Sequence, residues 1–134
     1  MRTLDTMFLT VDVNDKRPLY QQIVDGIKAL IANGQLSEGT PLPSVRQVAG
    51  DLGVNLNTVA VAYRQLQDEG FLTVRHGAGS VVSSRQGRAE KDEIRTQLRR
   101  AVTNLVLAGF SDRQIADFMQ QELRSTRQQK GGHR

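Results

Sequence analysis

Residues 42–84 read LPSVRQVAGDLGVNLNTVAVAYRQLQDEGFLTVRHGAGSVVSS, and their reading decides the fold. Ser44 stands three residues before Gln47, a spacing at which hydroxyl and amide can each cap a backbone donor at a helix start. Val45, Val48, Ala49 and Leu52 then share one helical face, and Gly53 supplies the left-handed backbone that ends the helix. A short turn leads to a second helix opening at Asn55, a good N-cap, with Val54 and Val59 at staple positions. Helical spacing has it bury Val59, Ala62, Tyr63 and Leu66 and present Leu56, Asn57, Thr58, Ala60, Val61 and Arg64 outward, until Gly70 closes it. Phe71 to Arg75 alternate apolar and polar residues, His76-Gly77-Ala78-Gly79 makes a turn, and Ser80 to Ser84 return as a β-hairpin. Two helices pivoting on a glycine turn, followed by a glycine-tipped hairpin, spell a winged helix-turn-helix.

A second helix held across the first in this way can project its N-terminal side chains into the major groove of DNA. Asn57 suits the edge of adenine, Leu56 or Val61 a thymine methyl, and the helix N-terminus offers amides to phosphate. In the wing, Arg75 and His76 suit a narrow minor groove, while Gly77 and Gly79 keep no side chain between hairpin and sugar-phosphate backbone. A plainer reading stays open: a three-helix scaffold whose outer face has no ligand, and a Gly-Ala-Gly turn that needs only positive φ. No dinucleotide fingerprint and no Gly-Lys-Ser/Thr phosphate loop is present.

Working outward, residues 1 to 7 are expected to fray, and Phe8 to Val13 to add a short strand to the wing sheet. After a polar turn at Asn14 to Arg17, Pro18 suits the first turn of a helix extending to about Asn33, with Leu19, Ile23, Ile27, Leu30 and Ile31 at helical spacing. Gln35 to Pro43 reads as a loop, and Ser83 to Gly87 as a polar linker. Beyond it, Ile94, Leu98, Ala101, Val102, Leu105 and Val106 recur at helical spacing up to Gly109. Ser111, with Gln114 three residues on, caps a further helix whose apolar face is Ile115, Phe118, Met119 and Leu123; Phe110 is placed to staple to Ile115. The expected organisation is therefore an α+β chain: a winged helix at 1–84, a helical hairpin at 85–128 and a disordered tail at 129–134. Such a hairpin is too small to bury both apolar faces alone. Either a second copy covers it, through Ile94, Leu98, Val102, Leu105, Ile115, Phe118 and Met119, or it folds back on its own winged helix.

Charge is unevenly spread. Residues 1–84 hold seven Lys/Arg against eight Asp/Glu, whereas residues 85–134 hold eleven against six. The presumed reading domain is not itself basic, so local cations must act, with Lys16, Arg17, Lys28, Arg46, Arg64 and Arg75 as candidates. With no cysteine and only His76 and His133, the chain lacks thiolate metal ligands and a cysteine nucleophile, and no catalytic residue, metal or cofactor is expected. No run approaches the eighteen apolar residues of a membrane span and the N-terminus shows no cleavable signal, so the expectation is a cytoplasmic protein without membrane contact.

Pro18-Leu19-Tyr20-Gln21-Gln22-Ile23, the spaced Gly34, Leu36 and Gly39, Leu42-Pro43-Ser44-Val45-Arg46, and the run Gly53 to Tyr63 together resemble the GntR family of bacterial transcription regulators. Asn55-x-Asn57-Thr58-Val59 followed by Ala62-Tyr63, with a short C-terminal region, is similar to the YtrA subfamily. The resemblance implies a homodimeric repressor with an N-terminal winged helix and a small helical dimerisation region. It carries DNA contacts to Arg46, Asn55, Asn57, Thr58, His76 and Gly77; the residue reading adds Leu56, Arg64 and Arg75. Position 61 is commonly Arg in the subfamily and is Val61 here, and the usual cation of the wing is replaced by Ala78. Some relatives in the wider family carry an aminotransferase-like domain, which this chain is too short to hold, so no enzyme is expected. The expected function is a sequence-specific regulator of transcription, acting as a homodimer on palindromic double-stranded DNA, with room for a small-molecule effector only at a small site. The alternative is a winged helix used for protein-protein contact, with the basic C-terminal tail as a docking segment.

Overall fold

The computed structural model describes residues 3–5, 9–83 and 91–131, with the side chains of residues 9–83 and 91–127. The chain divides into two compact units, Met1–Gly87 and Arg88–Arg134. Most of the expected linker, from residue 84 on, lies outside the described residues, as do Phe8 and the last three residues.

In the first unit, β1 (Thr3–Asp5) pairs antiparallel with β2 (Thr10–Asp12), Leu4 opposite Val11. Two expectations are corrected here: Thr3–Asp5 form a strand rather than a frayed end, and the strand near Val11 does not join the wing sheet. The place beside the wing is taken by the segment expected to be loop. Leu42 N–H donates to Ser80 C=O (2.9 Å), Val82 N–H to Thr40 C=O (2.9 Å), and Gly39 N–H to Val82 C=O (2.8 Å). Pro41 bridges Val81 between these bonds, at a pair that needs no N–H from either residue, so proline is tolerated.

α1 (Leu19–Ala32) begins one residue after Pro18, which occupies the N-cap position. α2 (Val45–Leu52) is capped by Ser44, whose Oγ accepts from Gln47 N–H at 3.0 Å, and ends at Gly53 with φ 68°. That left-handed backbone reverses the chain into α3 (Leu56–Asp68), capped by Asn55. Both α1 and α2 pack on α3. The core they enclose is aliphatic: Ile23, Val24 and Ile27 of α1, Val48 and Leu52 of α2, and Val59, Ala62 and Leu66 of α3 are sealed from solvent. Leu9 and Val11 close it on one side, Leu72 and Val82 on another. The hairpin β3 (Leu72–Arg75) and β4 (Gly79–Val82) follows, Leu72 opposite Val82 and Arg75 opposite Gly79.

Two buried polar side chains lock this unit. The Gln22 amide replaces a missing strand, accepting from Asp12 N–H (2.8 Å) and donating to the C=O of Asp12 (2.9 Å) and of Arg17 (3.2 Å). The Tyr63 hydroxyl donates to Pro43 C=O at 2.7 Å, tying the middle of α3 to the chain just before α2; burial pushes this phenol well above its ordinary pKa. At the surface, Lys28 Nζ pairs with Glu69 Oε1 at 2.6 Å and lies 5.2 Å from the Phe71 ring centroid. Partial burial raises the Glu69 pKa, but hydrogen bonds from Lys28 and Gln65 outweigh it and hold the carboxyl below its ordinary value.

The second unit is a helical hairpin of α4 (Lys91–Leu107) and α5 (Asp112–Gly131). Ser111 and Gln114 form a reciprocal capping box, Gln114 N–H to Ser111 Oγ at 3.2 Å and Ser111 N–H to Gln114 Oε1 at 2.9 Å. The Phe110 ring meets Phe118 edge-on at 5.1 Å. The expected disordered tail from residue 129 is corrected in its first residues: α5 continues to Gly131, because Gln128, Gln129 and Lys130 are good helix formers that extend the helix beyond Arg127.

Two outcomes test these locks. Tyr63→Phe keeps the ring but orphans the Pro43 carbonyl, and is expected to lower unfolding free energy by about 1–3 kcal/mol in a denaturant titration. Because the folded-state pKa of Glu69 is depressed, its contribution is present above the unfolded value and lost as pH falls through the folded one. Glu69→Gln is therefore expected to cost less than about 1 kcal/mol at neutral pH. The difference from the unaltered chain should shrink as pH falls below the ordinary carboxylate value and vanish only once the depressed folded-state pKa of Glu69 is passed.

Candidate nucleic-acid interface

The reading surface is set by what α3 hides. Val59, Ala62, Tyr63 and Leu66 face the core, so residues 57, 61, 64 and 68, which recur at intervals of four, three and four, form a stripe on the opposite side. All four are exposed. Leu56 is exposed beside them, while Thr58 and Ala60 are half-buried. Asn55 plays a local role as well: its Oδ1 accepts from Asn57 N–H at 2.7 Å, and its amide N–H groups remain for a ligand. The Asn57 side chain itself is not used in the cap.

Arg46 is the second residue of α2 and is exposed. Among the described residues, Arg46, Arg64 and Arg75 take part in no ion pair, nor does Lys16. Two other cations that the sequence offered are not available. Arg17 holds Asp15 at 2.8 Å and Asp25 at 2.6 Å, and its hydrogen bonds keep the Asp15 carboxyl below its ordinary pKa; Lys28 is held by Glu69. For Arg17 one of the partners, Asp15, is a near neighbour in sequence; for Lys28 the partner Glu69 lies 41 residues away.

The hairpin leaves the body soon after α3, and Phe71, just before it, is anchored by its N–H to Leu66 C=O at 2.9 Å. Its tip is a four-residue turn closed by Ala78 N–H to Arg75 C=O at 3.0 Å, with Gly77 at φ 84° in the third position. Arg75, His76 and Gly77 are all exposed there, and Gly79 belongs to β4 rather than to the turn. The structure thus gathers the candidate DNA-contacting residues in one unit, on the start of α2, the outer face of α3 and the hairpin tip. Val61, offered by the sequence beside Leu56 as a partner for a thymine methyl, sits exposed in the middle of the α3 stripe, where helical spacing placed it.

The residues expected to dimerise lie in the other unit. Ile94 is 50% exposed, Leu98 41% and Met119 40%, while Val102, Leu105, Ile115 and Phe118 are half-buried. No side chain of α4 is buried. Among the described residues no helix is long and apolar enough to cross a membrane.

Comparison with known proteins agrees with this architecture. Residues 19–82 match the family described as bacterial regulatory proteins, gntR family. The HTH-type transcriptional repressor YtrA of Bacillus subtilis is 27% identical over 117 residues, covering 84% of this chain and 90% of that protein. The match spans between 63% and 90% of the length of the most similar relatives. A transcriptional antiterminator from Listeria monocytogenes superposes with a TM-score of 0.81 at 28% identity, over 88% of this chain and 91% of that one. YtrA from Sulfolobus acidocaldarius, a GntR-family transcription factor, superposes with a TM-score of 0.61 at 41% identity, over 72% of this chain and 98% of that one. With the capped α2, the glycine turn, the outward stripe of α3 and the wing all in that order, the chain belongs to the GntR family of transcriptional regulators.

Proposed function

We propose that the chain is a cytoplasmic repressor that binds double-stranded DNA as a homodimer, each copy laying the start of α3 in the major groove and its wing against the adjoining minor groove. The outward face of α3 carries this reading. It offers hydrogen-bonding Asn57 and an unpaired Arg64 on a helix whose other side is fully committed to the core, and Arg46 and Arg75 add free cations on neighbouring elements. Arginine and asparagine are the side chains best matched to base edges in the major groove. The name of the Bacillus relative, a repressor, supports the direction of control.

The helical hairpin supplies the second half of the proposal. Leu98, Val106, Met119 and Leu123 expose 40% or more of their surface, on a unit too small to stabilise itself. An identical hairpin covers these faces through a two-fold interface, and a two-fold protein meets a palindromic site. No cofactor and no catalytic step enter the mechanism, which is occlusion of a promoter by the bound dimer.

Arg46→Ala is expected to weaken binding to a duplex enriched from a random pool by about 1–3 kcal/mol, and Asn57→Ala to relax the preference at one position per half-site. Unchanged affinity and preference in both would refute the proposed face. Leu98→Glu, which sets a charge in the proposed interface, is expected to halve the sedimenting mass of the full chain. Affinity for a duplex with two half-sites should fall with it by ~10²-fold or more as the linkage is lost. A variant that stays dimeric would remove α4 from the interface.

A further inference from the structure

α3 shows solvent an apolar surface that its fold does not use. Leu56 is 45% exposed and Val61 43%, although the core positions of the helix are already filled by Val59, Ala62, Tyr63 and Leu66. Val61 lies on the stripe directly opposite that core. A β-branched residue there gains little packing within the chain and is a poorer helix former than alanine. Its neighbours on the stripe are Asn57, one turn before, and Arg64, one turn after, and neither side chain is engaged by another described residue.

The major groove presents one apolar group to such a surface, the C5-methyl of thymine, and Asn is suited to a bidentate pair with adenine N6 and N7. We infer that Val61 reads sequence: its isopropyl group packs on a thymine methyl beside an adenine recognised by Asn57. Four residues of helix advance about 6 Å, just under two base-pair steps of roughly 3.4 Å, so the thymine lies one or two steps from the adenine. This assignment rests on the proposed DNA-binding function and adds to it the bases preferred.

The test takes a duplex enriched from a random pool by the intact chain and replaces each thymine in turn by uracil. That change removes the methyl and leaves pairing and the O4 acceptor in place. One thymine per half-site is expected to be sensitive, affinity falling roughly fourfold, the worth of one buried methyl-sized group. Val61→Ala, expected to keep its fold because the side chain is exposed, should show the same loss on the thymine duplex and no further loss with uracil, since both changes remove one contact. Uracil tolerated at every position overturns the inference. So does a uracil penalty that survives in Val61→Ala, or one that disappears only in Leu56→Ala. A pool that yields no enriched sequence overturns the DNA-binding proposal itself, and this inference with it, which sets the two failures apart.

Discussion

A helix can seal only one side of itself, and the unit built around α3 follows from which side that is. Burial of Val59, Ala62, Tyr63 and Leu66 against Ile23, Ile27, Val48 and Leu52 fixes the rotation of α3 about its axis. A slip of one residue would turn the helix by about 100° and bring the 57–61–64 stripe toward the core. Rotation alone does not fix crossing angle. Gly53 sets the direction in which the chain leaves α2, and the Tyr63 to Pro43 hydrogen bond holds α3 to the start of α2 from the other end. The outward face is as well defined as the core because it is the core's complement.

The polar bonds of the unit stiffen the support of that face and leave the face itself open. Gln22 satisfies the exposed edge of β2, and the buried Asn33 accepts from Gln35 N–H at 2.9 Å as the chain leaves α1. Lys28 bridges from α1 to the C-cap of α3, and Arg17 gathers two carboxylates near the start of α1. Among the described residues of this unit, the unpaired arginines Arg46, Arg64 and Arg75 stand on α2, α3 and the hairpin.

Local chemistry made the central motif legible. The Ser44 hydroxyl capping Gln47 N–H, Asn55 before the second apolar period, Gly53 and Gly77 at positive φ, and the spacing of Val59, Ala62, Tyr63 and Leu66 are all relations within a few residues, and each is found in the structure. What escaped was non-local. Lys28 and Glu69 are 41 residues apart in sequence, and no pattern near either names the other. Pro41 argued for loop, yet its neighbours complete the wing sheet, because an unpaired β4 edge offered backbone partners that periodicity does not encode. Gln22, one polar residue on a helical face, gave no hint of the strand it completes. The candidate face was legible for the same reason as the core, its residues being the ones the apolar pattern omits; its charge balance was not, since ion pairing depends on contacts across the fold.

That charge balance bears on how a reader of this kind discriminates. Seven cations against eight anions in residues 1–84, with Arg17 and Lys28 already neutralised, leave few charges to displace counterions from phosphate. Non-specific affinity is almost wholly this counterion term, so residues 1–84 alone have little from which to draw it. Contacts to base edges and to a thymine methyl do not share that limit, since they release no counterions and are made only on the matching sequence. In a unit of nearly balanced charge such contacts raise the ratio of specific to non-specific binding. The proposed pairing of two such surfaces through the helical hairpin raises affinity for a double site while leaving that ratio per half-site intact. On this argument the apolar Val61 and the exposed faces of α4 and α5 answer the same deficit of charge, one by adding discrimination within a half-site and the other by joining two.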